Sequence, residues 1–461
     1  AVTTNILSSN ASVIDVVSGA VLAIVPVGAR PADVEITPDG SKAVVANLDS
    51  SFASVIDLST YAVTNVTIST RGSQVEISPD GQYAYVGVVA SGDGVWRIDL
   101  NTLSVSGAKL PTGNMGGIFY LYYQASGMTL SHDGATLAVC GTYDDTLTLV
   151  DTTTWSVAAN VPVGDYPVRA TFAPDDSEVY VALKTPATIA VVSNAGAAST
   201  VTGTIAVGPQ PFEMEVSGDG GTLYVAQAQD DSVGIVDLAS GLLTKSIAVP
   251  DSPQGLALSP GDTCLYVASG TWSVTLGPGP KVSFAQAGAI SVIDTATQAV
   301  AASIDTGLPP GTLEMDLAGT TAVVPSPHAD GVTRVDVPTG WSTYCTSKVN
   351  SQGCAPPISA VGNLSASAGS GFVVLATQVI PNAKGLFFYT TTGPASIPFQ
   401  GGFLCVQSPV RRTVGVTATG SGTCGGTLAH DFNAYIALGL DPNLVAGNTI
   451  WGQFWSRDPA S

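Results

Sequence analysis

The chain has 461 residues, 45% of them hydrophobic and 11% charged, which is enough apolar content to bury a core and too much for a disordered chain. Its 35 acidic against 15 basic residues leave a net charge of −20, which argues against nucleic acid or anionic lipid as a partner. No uninterrupted run of roughly 18 apolar residues occurs, so no helical membrane span is expected.

The first segment, 12–27, reads SVIDVVSGAVLAIVPV, a pair of strands around a turn. Between residues 30 and 340 one unit then recurs seven times. Each copy runs from a short strand (a) through an S-P-D-G-like turn into a YVA-type strand (b), a VID-type strand (c) and an outer strand (d). The turns lie at 37–40, 78–81, 131–134 and 173–176, and in degraded form at 217–220, 259–262 and 317–320. In the first copy the strands fall at 34–37, 43–46, 54–58 and 62–69, and the c motif returns at 95–99, 147–151, 233–237 and 290–294. Residues 189–193 are a variant without the terminal Asp.

A four-strand unit with a period of about 42 residues is one propeller blade. The expected fold is therefore all-β, a seven-bladed β-propeller of four-stranded blades over residues 1–340, with a small β-sandwich-like domain after it. Because 332–337 gives the last copy its own c strand, there are eight c-type strands but seven a-type ones. Residues 12–27 then help close the last blade and leave one strand surplus. That strand either packs against the degenerate blade or pairs with another chain.

Two insertions break the period, 113–124 in a d–a connection and 270–288 in a b–c connection. Both loop types open on the same face of a propeller. The first carries Phe119, Tyr120, Tyr122 and Tyr123, aromatics suited to stacking on a sugar or to a protein contact. His328, in the last b–c loop, belongs to the same face. Loops packed on themselves are the competing reading.

From residue 341 the pattern changes. Apolar runs at 372–375, 385–389 and 403–406 read as strands, and 431–439 as one short helix. Cys345, Cys354, Cys405 and Cys424 cluster here without C-x-x-C spacing, which reads as two disulfides formed in an oxidising compartment. Proximity favours Cys345 with Cys354 and Cys405 with Cys424, although four cysteines allow three pairings. Cys140 and Cys264 stand alone in separate blades and are expected as buried free thiols. A start at Ala1 rather than Met fits a mature secreted chain.

The chemistry-bearing residues are sparse. His132, His328 and His430 are scattered, and HExxH, GxSxG, C-x-x-C-H and a Gly-rich phosphate loop do not occur. Carboxylates form the one constellation. Aligning the a strands puts Glu35, Glu76, Glu215 and Asp316 at one level, and Asp33, Glu213 and Glu314 two residues earlier, where Arg169 also falls. Around a central channel these groups would hold a metal ion or polar ligand, or pair across blades with Arg30, Arg71 and Arg169. The acidic b–c loops, from Asp49 to Asp330, read mainly as turn supports. No cofactor is expected, calcium being the one ion such loops suit.

The stretch TLYVAQAQDDSVGIVDLASGLLTKSIAVPDSPQGLALSPGD at 222–262 resembles the repeat of the YVTN family of seven-bladed, surface-layer-like propellers, and the resemblance extends over roughly 12–340. The segments YCTSKVNSQGC, PFQGGFLCVQSP and GQFWSRDP resemble a C-terminal module of large secreted bacterial proteins. The resemblance implies a fold rather than an activity. The absent catalytic motifs, the secreted-type tail, the low charge density and the surplus strand make the expected role that of an extracellular, cell-surface, non-catalytic structural protein, self-assembling by strand addition or binding another surface protein or glycan. The alternatives are a lyase or hydrolase acting on polysaccharide or peptide through the channel carboxylates, or a glycan-binding module.

Overall fold

The computed structural model describes residues 1–16, 20–68, 71–89, 93–115, 127–274, 284–305, 314–315, 321–326, 331–336, 352–353, 358–361, 373–392, 394–399, 402–444 and 450–456. Only the backbone is described for 271–274, 284–287, 305, 314–315, 321–326, 331–336, 358–361, 394–399, 402–405 and 456. The chain divides into two compact units, Ala1–Arg334 and Val335–Ser461.

Among the described residues the first unit is a succession of eight antiparallel sheets, each a meander of consecutive strands. The first has three strands: Val2–Asn5, Asn10–Ile14 and Val21–Pro26. Sheets two to seven each run through four strand positions, beginning at Pro31–Ile36, Arg71–Ile77, Met128–Leu130, Pro167–Phe172, Pro211–Val216 and Pro253–Leu258. The third sheet carries an additional short segment, Leu110–Pro111, on its c strand Gly94–Asp99. The eighth has three strands: Glu314–Met315, Thr321–Ser326 and Gly331–Asp336. Each a strand lies against the next along the chain, so the a strands are innermost.

The expected strand count is met, with seven a strands and eight c strands. The surplus has a different form, however. Val2–Asn5, unrecognised in the sequence, is a b strand, and it makes a b–c–d sheet that lacks only its inner strand. Nor does this sheet sit outside the fold. Ala11, Val13 and Val25 pack against Ala43, Val45 and Ile56 of the second sheet in one buried cluster.

Local chemistry explains why the turn and the VID motif recur. In the turns the leading hydroxyl donates to the Asp two residues on, from Thr37, Ser78, Ser131 and Ser217 at 2.6 to 2.7 Å. The same hydroxyl accepts the N–H five residues on, closing the hairpin. At the end of the c strand, Asp57 accepts the N–H groups of Ser59 and Thr60, and Asp99, Asp151, Asp237 and Asp294 repeat the device. Between sheets the alternating apolar residues interdigitate. Val44, Val86 and Ile98 are wholly buried, and truncating such a residue to Ala costs about 2–5 kcal/mol.

The second insertion is largely strand rather than loop. Cys264–Val274 and Phe284–Asp294 pair without interruption up to Val274 opposite Phe284, so the seventh sheet carries a β-hairpin arm of eleven-residue strands.

In the second unit the expected strands are present as Val373–Val379, Lys384–Thr390 and Gly402–Val406, and Phe432–Ala437 is helical with Asp431 as its N-cap. Its two four-stranded sheets share a core that includes Val374, Phe387, Tyr389 and Phe432.

Candidate functional site

The inner strands bring together part of the expected carboxylate set. Asp33 accepts the N–H of Val34 through one oxygen and that of Val75, in the next sheet, through the other, both at 2.9 Å. The residue keeps some accessible surface, but its carboxylate is enclosed by these bonds. Burial raises its pKa, opposed by the two backbone bonds and by the charge of Arg169. Arg169 belongs to the fifth sheet and Asp33 to the second.

Arg169 donates from Nε to Glu213 of the sixth sheet at 3.2 Å and lies 4.7 Å above the Phe212 ring. On the other side, Gly127 at the entry to the fourth sheet lies close against the Arg169 backbone, where a Cβ would stand 2.7 Å from the Arg169 Cα. Between the third and fourth sheets Gln74 clamps Met128, donating to its carbonyl at 2.9 Å and accepting its N–H at 2.8 Å. These are fasteners between neighbouring sheets.

One expectation changes. Glu314 pairs with Val323, the third residue of its b strand, just as Glu35 pairs with Val44, Glu76 with Tyr85 and Glu215 with Tyr224. It therefore shares the level of those glutamates and not that of Asp33 and Glu213. The constant hairpin length sets this register where the degraded turn misled the alignment. Arg30 donates to Asp49 at 3.2 Å, and Arg71 forms an ion pair with the same carboxylate at 3.8 Å. Among the described residues no group of three or more His, Cys, Asp or Glu side chains could hold a metal ion. Asp316 lies outside the described residues.

At the loop-bearing end, the b–c acids hold the connectors that enter the next sheet. Asp93 accepts the N–H of Met115, Asp144 that of Asn114, Asp145 that of Tyr166 and Asp231 that of Ser252. Burial raises the pKa of Asp93, opposed by its bond from Met115. Phe119, Tyr120, Tyr122, Tyr123 and His328 lie outside the described residues. The aromatics described at this end are Tyr143 and Tyr166, edge to face at 5.7 Å, with Lys184 5.8 Å from the Tyr166 ring. The Tyr143 side is exposed at 44%. Their signal was an aromatic in each of two adjoining loops, GTYDD and GDYPV.

Cys140 is buried and free, its pKa pushed up to about 12 by burial, whereas Cys264 is free and only half-buried. Cys424 is disulfide-bonded. The side chains of Cys345, Cys354 and Cys405 lie outside the description, and so does the expected pairing.

The second unit holds a polar cluster that sequence reasoning missed. The Asp441 carboxylate is almost wholly buried and accepts from the Tyr389 hydroxyl and Arg411 Nε, both at 2.8 Å, and from the Asn443 N–H at 3.0 Å. Nearby rings of Phe387, Phe432 and Tyr435 enclose His430, whose pKa burial lowers. These partners lie up to 52 residues apart, with no motif to announce them.

No helix among the described residues is long and apolar enough to cross a membrane. No protein-family model matches the chain, and no curated protein matches it either. Among solved structures it is similar to hydrazine synthase of Kuenenia stuttgartiensis, with a TM-score of 0.52 and 17% identity over 67% of this chain and 96% of that one. It is also similar to the dihydro-heme d1 dehydrogenase NirN, with a TM-score of 0.54 and 17% identity over 73% of this chain and 72% of that one. At such identity the likeness shows the fold alone, which is all-β and of the propeller type.

Proposed function

We propose that this protein is a secreted, non-catalytic interaction protein of the cell surface or extracellular matrix, which assembles by β-strand addition at its N-terminal sheet. The observation that carries the reading is the strand Val21–Pro26. It is the outermost strand of its sheet, with no partner beyond it among the described residues, and Val21, Leu22 and Ile24 are 58%, 53% and 65% exposed. An apolar outer edge of this kind is what strand pairing with another chain uses. The inner-strand groups support the same reading, because Asp33 bonds the third sheet and Arg169 bonds Glu213 across the fifth and sixth rather than standing ready for a substrate.

The propeller proposed here has seven blades of the YVTN type, a reading supported by the seven inner strands among the described residues, with the N-terminal sheet as the surplus element. The second unit is a disulfide-pinned β-sandwich, and the Cys424 disulfide supports an oxidising, extracellular setting. Light scattering across a concentration series tests the assembly. The parent chain forms oligomers, and Leu22→Lys with Ile24→Lys leaves a folded monomer. Equal masses for both proteins would refute the reading.

A second reading rests on Tyr143 and Tyr166. Their partly exposed rings beside Lys184 suit a glycan, which a glycan array with Tyr143→Ala as control would reveal.

A further inference from the structure

The a–b turns follow one another from sheet to sheet, and the second residue of each meets the fourth residue of the next. In three interfaces that pair is Pro against Gly. A Cβ on Gly81 would stand 3.5 Å from Pro38 Cδ, one on Gly134 2.6 Å from Pro79 Cδ, and one on Gly220 3.8 Å from Pro174 Cδ. Proline has no N–H, so the contact needs no acceptor.

Where the Pro is replaced, its partner changes too. His132 stands in place of Pro, and Asp176 in place of the next Gly. The Asp176 carboxylate accepts the N–H of His132 at 2.9 Å and that of Asp133 at 3.0 Å, with His132 Nδ1 at 2.7 Å. Gly218 again replaces Pro, Asp262 again replaces Gly, and Asp262 accepts the Gly218 N–H at 2.5 Å. Both Asp residues hold the left-handed conformation that glycine holds elsewhere, at φ 58° and 54°. For Pro260 the counterpart, Thr320, lies outside the described residues.

We propose that these two turn positions form a complementary pair that matches each blade to its successor, Pro with Gly or a free N–H with Asp, and that Asp176 and Asp262 are positioning residues of the blade interface. Each loss of Pro exposes a backbone donor, and each is answered by an acceptor one blade on, 44 residues away in both cases.

The test transplants the pair. In the intact chain, Pro79→His alone leaves a donor facing Gly134, and Gly134→Asp alone sets a carboxylate against Pro79. Each weakens the fold, and the double variant recovers at least tenfold in the unfolding equilibrium over the sum of the singles, about 1.4 kcal/mol of coupling. At the natural site, hydrogen exchange of the His132 and Asp133 amides accelerates at least tenfold in Asp176→Gly, and other turns keep their rates. Additive singles at Pro79 and Gly134, or unchanged exchange at His132, would overturn the proposal. The exchange measurement reads native protein, so a variant that fails to fold at the transplanted site leaves the natural site to decide.

Discussion

Replacing Arg169 with Met removes at least three interactions and nearly keeps the volume of the side chain. The guanidinium loses its 3.2 Å bond to Glu213, its place 4.7 Å above the Phe212 ring, and its field at Asp33. At that distance an ion pair with an effective dielectric near 20 is worth about 5 kcal/mol before desolvation is subtracted. The two side chains remain 15% and 26% exposed, so screening and desolvation take back more than half. The cation–π contact contributes about 0.5–1 kcal/mol. A net loss of about 2–3 kcal/mol follows, read as a fall in the denaturant midpoint of the intact chain. In a double-mutant cycle with Glu213→Gln, about 1–2 kcal/mol of this loss is coupling. A loss below about 0.5 kcal/mol, within the range of ordinary surface substitutions, would refute the view that these groups fasten blades together.

Gly208→Ala would place a Cβ 2.6 Å from Gln227 Cδ and Oε1, and an unfolding titration should show a loss of about 1–3 kcal/mol. Gly203→Ala, with nothing within 4 Å, serves as the neutral control. Asp39 and Asp57 have pKa values lowered to about 2, chiefly by hydrogen bonds from Thr37 and Ser59 respectively. Their folded values lie below the unfolded one of about 3.9, so their contribution is present above pH 4 and fades as pH falls toward 2. Acid titration of Asp39→Asn should therefore show a shallower decline over that window. Native alkylation followed by mass spectrometry should leave Cys140 unmodified and label Cys264 slowly, because burial keeps both thiols protonated.

The blades were legible because each is specified locally. The hydroxyl–Asp turn and the Asp at the end of each c strand act within five residues, and alternation marks the buried faces. What lay beyond reach was set by distance in the chain. The b strand Val2–Asn5 has no motif of its own and is recognised only by pairing with Asn10–Ile14. Asp33 bonding Val75, and Arg169 reaching Glu213, depend on neighbours 42 and 44 residues away. The hairpin arm reads as an insertion because it stretches the repeat beyond its base period. Arg30 and Arg71 were placed near the channel by their position at the entry to inner strands, and that position does not announce their ion pairs with Asp49 in the b–c loop.

Hydrogen exchange of the intact chain at low and high concentration tests the assembly most directly. Strand addition at Val21–Pro26 predicts that its amides exchange more slowly as concentration rises, while the outer strands of later sheets, such as Val201–Ala206, keep their rates. Unchanged exchange at residues 21–26 in a sample that does self-associate would contradict the account.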